Sequence, residues 1–340
     1  MQMDERKFRI LQAIIDDYIS TAMPVGSRTI SRKSGVGFSP ATIRNEMSDL
    51  EELGYLDQPH TSAGRIPSLK AYRLYVDQLM KVANLSEEES RNINDHLNLR
   101  SSQTEEVIRS AAKALSDATH YTSVIVAPQL NTLRVARIQF VPVTSSTALM
   151  ILVTTAGIVK EAIIQVPAGL TADHLYMISK ALTERLHDQP MHRVREIFEQ
   201  QMIGETSEGS QLLTDVMQVV ESKLAIPDGR DVIVGGTSNL LNYPEYSDVS
   251  KAKNFLSVLE TKDRLIPLLR QNGGMEITIR IGPENGIKEL EDCSVVTATY
   301  RIGEHSQGTL GIIGPTRMNY ARVISVLDYM GRMLGNMLKE

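Results

Sequence analysis

Arg44 and Asn45 stand next to each other in the run SPATIRNEMSDLEELG, residues 39 to 54. A guanidinium can bond bidentately to guanine and a carboxamide to adenine, so this pair has the chemistry to read base edges. The loop that follows, GYLDQPHTSAGRIPS (residues 54 to 68), gathers His60, Thr61, Ser62 and Arg65. All four side chains can hydrogen-bond a phosphate oxygen or a base edge. Taken alone, the loop also fits a surface connection with ordinary polar residues, and the helix face also fits a merely solvated one. Their neighbours have to decide.

Enzymatic chemistry is poorly represented. The seven histidines (His60, His96, His120, His174, His187, His192, His305) show no H-E-x-x-H or paired ligand spacing. Cys293 is the single cysteine, so an intramolecular disulfide and a cysteine metal site are both excluded. The neighbouring Asp292 should raise its pKa, which disfavours a catalytic thiolate. Gly308, Gly311 and Gly314 are spaced G-x-x-G-x-x-G and precede a proline, so strand-end turns are expected there rather than a phosphate loop. The run GGTSNLL, residues 235 to 241, could offer backbone amides to an anion, but a strand-to-loop turn is favoured. No catalytic residue, metal or cofactor is expected.

Charge distribution sharpens the reading. The net charge of -5 argues against indiscriminate coating of nucleic acid. Residues 1 to 80 are balanced, with ten Lys or Arg against ten Asp or Glu. Within them, Pro24 to Asn45 carries Arg28, Arg32, Lys33 and Arg44 with no acid, and Gln58 to Val76 carries Arg65, Lys70 and Arg73 with no acid. These two basic windows flank one helix whose C-terminal half (Glu46, Asp49, Glu51, Glu52) is acidic, so one face is prepared for an anion.

The elements that must hold these residues are legible from periodicity. Phe8, Leu11, Ile14, Ile15, Tyr18 and Ile19 recur at helical spacing in a first helix that ends before Pro24. Ser27 can cap a short second helix closing at Gly35, and Ser39 with Pro40 forms the cap and first residue of a third. Ile43, Met47, Leu50 and Leu53 form the third helix's buried stripe, leaving Ala41, Arg44, Asn45 and Ser48 opposite. This is a helix-turn-helix layout with the third helix as the reading element. Tyr55 and Leu56 then start a strand, Gly64 supplies a positive φ at the turn, and a return strand completes a winged helix. The expected DNA-facing set is Arg28, Ser39, Ala41, Thr42, Arg44, Asn45 and Ser48, with His60, Thr61, Ser62, Arg65 and Lys70 in and after the wing. Arg65 is expected to be the wing's phosphate-facing cation.

The run SPATIRNEMSDLEELGYLDQPHTSAGRIPSLKAYRLYVDQLM resembles the HrcA family of heat-inducible transcription repressors, through TIRNEM, PHTSAGRIP and YRLYVD. GGTSNLLNYPEYSDV and GTLGIIGPTRMNYARVISVLDYM are similar to later parts of that family, so the resemblance spans essentially the whole chain. It implies a homodimeric repressor of chaperone operons that binds the inverted-repeat operator CIRCE and is modulated by the GroE chaperonin. It also implies a GAF-like domain carrying an inserted dimerisation domain.

Beyond residue 80 the pattern suggests an α+β body interrupted by a mainly helical block. Ser86 with Glu89 and Ser102 with Glu105 are capping-box signatures, the second opening a helix with Val107, Ile108, Ala111, Ala112 and Leu115 on one face. Strands are expected at SVIVAP, LRVARIQFVPV, TALMILVTT and IVKEAIIQVP, forming one antiparallel sheet through hairpin-length connections such as Ala156-Gly157. Helices should fill Thr171 to Leu224, with Leu175, Ile178, Leu182 and Leu186 on one stripe and Leu212, Val216, Val219 and Val220 on another. A turn at Pro227-Asp228-Gly229 leads to the strand DVIVGG; EITIRI, SVVTATYRI and TLGIIG then return as strands before an amphipathic last helix. The expected divisions are residues 1–80 for the winged helix-turn-helix, 81–120 for a helical linker, 121–165 with 249–340 for the GAF-like body, and 166–248 for the insert.

At 340 residues, two or three domains are expected, and 42% hydrophobic content suffices for their cores. The charged start MQMDERKF points away from a signal peptide or membrane span, so a cytoplasmic protein is expected. One alternative survives the residues: a ligand-gated winged-helix regulator that uses the GAF-like domain as a small-molecule sensor, since an apolar pocket leaves no short motif.

Overall fold

The computed structural model describes all residues except 1–2, 34, 60–63, 83, 97–103, 128–133, 156, 158, 167–169, 191–192, 195–231, 270–276, 303–305 and 339–340. His60, Thr61, Ser62, Ser102, Ala156, the stripe Leu212, Val216, Val219 and Val220, and the turn at Pro227 therefore lie outside the described residues.

The first unit builds as its periodicity dictates. Helix α1 (Glu5–Thr21) is capped by the Asp4 side chain and buries Ile10, Leu11, Ile14 and Ile15. Helix α2 (Ser27–Ser31) is shorter than expected and its N-cap is Gly26 rather than Ser27. Helix α3 (Pro40–Glu52) opens on Ser39, whose Oγ accepts the Thr42 amide at 3.1 Å, and buries Ile43, Met47 and Leu50. Gly54 ends it with φ +75, a conformation that favours glycine. Two two-residue strands, β1 (Leu56–Asp57) and β2 (Ile66–Pro67), pair antiparallel. Val25 extends them as a third edge through reciprocal backbone bonds with Arg65 of 2.8 and 2.9 Å.

Gly64 differs from expectation. It is absent from the positive-φ glycines; instead a Cβ there would lie 2.5 Å from the Val25 carbonyl oxygen. The residue is glycine because two backbones meet at that point, not because the chain turns left-handed.

Helix α4 (Leu69–Leu74) leads through a wide turn at Tyr75–Leu79 towards α5 (Glu87–His96). The first expected capping box is present: the Ser86 amide donates to Glu89 at 3.0 Å and the Glu89 amide to Ser86 Oγ at 3.2 Å. Helix α6 (Thr104–Thr119) packs Val107, Ile108, Ala111, Ala112 and Leu115 into the main core and so belongs to the body rather than to a linker.

Strand β3 (Thr122–Val126) does not join the next three strands. β4 (Val135–Pro142), β5 (Thr147–Thr154) and β6 (Val159–Gln165) form their own antiparallel sheet, in the order β4-β5-β6. Helix α7 (Ala172–Leu186), capped by Thr171, covers one face of it with Leu175, Leu182 and Leu186. Ser179 Oγ accepts the Phe140 amide at 2.9 Å, and Thr183 Oγ1 accepts from and donates to Ile138, which fastens the helix to β4.

β7 (Val232–Gly235) instead pairs with β3. After α8 (Val249–Glu260) and α9 (Lys262–Leu269) come β8 (Ile277–Ile281), β9 (Cys293–Ile302) and β10 (Ser306–Pro315). The five-stranded antiparallel sheet runs β7-β3-β10-β9-β8. Its two faces carry separate cores. Helix α6 and the last helix, α10 (Tyr320–Met337), cover Ile125, Val296, Ala298 and Ile312; α8 and α9 cover Val124, Val295 and Ile313. An α+β class with antiparallel sheets is thus established, but sheet membership corrects the expected grouping. Residues 135–165 share a core with α7, and residues 232–246 with the five-stranded sheet. The described part of the expected helical block is one helix on a sheet.

Gly308, Gly311 and Gly314 sit inside β10 rather than at its end. A Cβ on them would meet Tyr300, Leu269 and Tyr121 at 2.3, 2.7 and 2.7 Å, so they let large side chains lie flat on the sheet. No helix among the described residues is long and apolar enough to cross a membrane.

Candidate nucleic-acid interface

Helix α3 is held from behind. Lys7 of α1 is buried and reaches Glu46 at 2.9 Å and Asp49 at 3.1 Å, while Arg6 meets Glu46 at 2.7 Å. Those carboxylates hold the Lys7 ammonium above the ordinary lysine range. The acidic half of α3 is therefore neutralised by α1, and Glu51 is neutralised by Arg65. Four charges read in sequence as a negative helix end are mostly structural struts.

What α3 leaves outward is the face expected of it. Ser39, Ala41, Arg44, Asn45 and Ser48 are exposed, and the side chains of Arg44, Asn45 and Ser48 make no hydrogen bond or ion pair among the described residues. Thr42 is half-buried; its hydroxyl lies 2.9 Å from that of Ser39, so both hydroxyls serve the helix cap before any ligand. Arg28 on α2 is exposed and has no ion-pair partner among the described residues.

Arg65 is placed differently. It sits at the base of the strand pair, half-buried, with Nε and Nη2 at 2.8 and 2.7 Å from the same Glu51 oxygen. The expected free phosphate-facing cation is a strut between strand and α3. Lys70 donates to the Leu53 carbonyl at 2.8 Å and lies 4.4 Å from the Tyr55 ring centroid, so it caps the C-terminal end of α3 while its stem remains exposed. The structure thus brings together Arg28, Ser39, Ala41, Thr42, Arg44, Asn45 and Ser48, and sets Arg65 and Lys70 behind them. Sequence reasoning missed Lys7: a lysine inside an apolar stripe was the available signal, because such a residue must be paired if buried.

The other candidates resolve into packing. Burial pushes the Cys293 thiol up to about 12, with the Asp292 charge acting in the same direction, and Tyr246 Oη lies 3.1 Å from it. A Cβ on Gly236 would fall 1.6 Å from Ser116 Oγ, and Asn239 donates to that oxygen at 2.9 Å, so the GGTSNLL turn is a junction with α6. His174 closes the Thr171 capping box, and His187 Nδ1 lies 3.1 Å from the Ala136 carbonyl. Among the described residues no His, Cys, Asp and Glu cluster could hold a metal ion.

A helix face that exposes a guanidinium and a carboxamide, unpaired among the described residues, has the chemistry of a binding surface. The model for the HrcA protein C terminal domain matches residues 105–324. The heat-inducible transcription repressor HrcA of Ruminiclostridium cellulolyticum is 45% identical over 97% of this chain and 96% of its own length. Its counterpart in Clostridium tetani is 42% identical over 100% of this chain and 97% of its own. A crystal structure described as that of a hypothetical protein superposes with a TM-score of 0.68 at 25% identity, covering 99% of each chain. The chain belongs to the HrcA family, and it is a transcription repressor of the heat-inducible response, not an enzyme.

Proposed function

We propose that the protein represses class I heat-shock (chaperone) operons by binding the CIRCE inverted repeat as a dimer, with activity modulated by the GroE chaperonin. The observation that carries the DNA part is the outward face of α3, where the side chains of Arg44, Asn45 and Ser48 stand exposed and, among the described residues, unpaired. In this reading the first unit is a winged helix-turn-helix: α3 enters the major groove N-terminus first, Arg44 and Asn45 read bases, and Arg28 neutralises phosphate. His60, Thr61 and Ser62 belong to the wing tip as polar donors, and Arg65 and Lys70 hold wing and helix together.

The five-stranded sheet with helices on both faces is read as the GAF-like domain, and the unit of β4, β5, β6 and α7, within residues 135 to 186, as part of the inserted dimerisation domain. The outer face of β4-β5-β6 supports the dimer. Val141, Leu149 and Ile163 form one cross-strand row, and Ile163 is 66% exposed. One recognition helix reads only a few base pairs, so two copies on a two-fold operator are required for useful specificity. A cytoplasmic location, on the nucleoid when operator is bound, follows from this role.

A gel-shift titration of purified protein against DNA carrying the inverted repeat tests the proposal, with a scrambled repeat as control. Equal affinity for both would refute it. A second reading, ligand gating, is favoured by one cavity of 230 Å³ between α5, β8 and α10, lined by Leu85, Ile277, Ile324 and Tyr329 among others. A metabolite panel that shifts the thermal unfolding midpoint and the operator affinity together would select it.

A further inference from the structure

Arg317 lies between β10 and α10, in the body, yet its guanidinium reaches the first unit. Its side chain is 9% exposed. Nε and Nη2 engage the Glu245 carboxylate, the latter at 3.2 Å, and Nη1 donates to the Ile19 carbonyl of α1 at 2.9 Å. The guanidinium also sits 5.5 Å from the centroid of Tyr243, which itself stacks on Tyr121 at 5.3 Å. Ile19 belongs to the last turn of α1, whose carbonyls lack helical partners and carry the negative end of the helix dipole. A buried cation oriented by a carboxylate is a strong partner for that end.

The contact matters because of what α1 holds at its other end. Lys7 and Arg6, in its first turn, grip Glu46 and Asp49 of α3. One helix of 17 residues, about 25 Å long at 1.5 Å per residue, therefore connects the body to the reading helix with charged contacts at both ends. Arg73 on α4 adds a second strut, to Glu284 and to the Ile279 carbonyl at 2.9 Å, in a more exposed setting.

We infer that Arg317 is a positioning residue for operator binding: it fixes the angle between reading unit and body, and with it the half-site separation that the dimer accepts. This rests on the dimeric operator reading above. Binding a second half-site is an intramolecular event whose gain depends on how well the held separation matches the DNA. Each base pair added between half-sites shifts one of them by about 3.4 Å and rotates it by roughly a tenth of a turn. A rigid pair of heads is punished by that shift; a loose pair is not.

The test is fluorescence anisotropy with the full-length protein on four DNAs: the inverted repeat, repeats with one or two base pairs inserted at the centre, and an isolated half-site. Wild type should discriminate sharply among spacings. Arg317→Met should lose at least about tenfold of that discrimination while its half-site affinity stays within about twofold. Glu245→Gln, which keeps size and hydrogen-bonding capacity, should move the same way less far, and it serves if Arg317→Met fails to fold. Unchanged spacing profiles in a folded variant would overturn the inference. A wild type with no preference for the inverted repeat would instead overturn the operator reading beneath it.

Discussion

The reading unit and the three-stranded unit leave opposite chemistry exposed. In the first, the α3 carboxylates Glu46, Asp49 and Glu51 all carry cationic partners, and the face of α2 and α3 that points outward presents Arg28, Arg44, Asn45 and Ser48. In the second, α7 satisfies one face of the sheet and the other presents Val141, Leu149, Ile163 and the 54% exposed Val159. A polar surface without partners suits an association weakened by salt, whereas an apolar one suits an association largely indifferent to it. The two surfaces should therefore be separable by mutation.

The largest effect is expected behind the polar surface. Lys7→Met removes one of the two cations on buried Glu46, which keeps Arg6 at 2.7 Å, and should destabilise the reading unit by up to about 3 kcal/mol, the cost of leaving a buried acceptor oxygen without its partner; urea unfolding followed by an α-helical signal measures it. On the apolar surface, Ile163→Lys should weaken the proposed dimer by about 1.5–3 kcal/mol, the value of one buried aliphatic side chain. Sedimentation across concentration would show this, and its persistence at high salt would sharpen the contrast. Arg44→Ala and Asn45→Ala should each cost about 1–3 kcal/mol of operator affinity and relax base preference at one position, with unfolding unchanged.

Smaller effects probe the struts. Because Arg65 is engaged by Glu51, Arg65→Ala should lower operator affinity by under about 1 kcal/mol, and Glu51→Gln, which frees the cation, should steepen the salt dependence. The smallest effect is acid-dependent. The Ser86 amide, together with Arg322, holds the Glu89 carboxyl at about 2, below its ordinary 4.5. A lowered carboxylate stabilises the fold above its unfolded pKa and loses that contribution as pH falls, so the tie between α5 and α10 should weaken from about pH 4.5 down towards 2. Glu89→Gln should abolish that slope in an acid titration.

Local rules made much of this legible. Leu11, Ile14 and Ile15 of the first stripe, the Ser39-Pro40 cap, the Ser86 and Glu89 box and the α6 face all follow from local spacings, which a sequence states directly, whereas Ile10 is buried without having stood in the expected stripe. Partners distant in sequence were not legible. Hairpin-length connections suggested that β3 leads into β4, but β3 pairs with β10 and β7, whose registers bring Val124 to Gly311 and Val234. Short connections say which strands can pair, not which sheets share a core. Gly64 and Gly308 failed for a related reason: a glycine shows that something is close, and only the fold reveals whether that is its own backbone or a remote tyrosine. At the candidate site, Arg44 and Asn45 were legible by face, while Arg65 was not, since a basic loop residue gives no sign that a carboxylate on the preceding helix already holds it.

That last contact sets an electrolyte limit on the repressor. Of the ten Lys and Arg in residues 1 to 80, six (Arg6, Lys7, Arg9, Lys33, Arg65 and Arg73) stand in ion pairs among the described residues, and Arg28, Arg32, Arg44 and Lys70 do not. If two copies bind as proposed, they offer about eight such cations, so log affinity should fall against log salt with a slope no steeper than about -7. Read as bare composition, the same residues would offer about twenty cations and a slope near -18, so the internal pairing makes this a protein that tolerates ionic change far better than its arginines suggest.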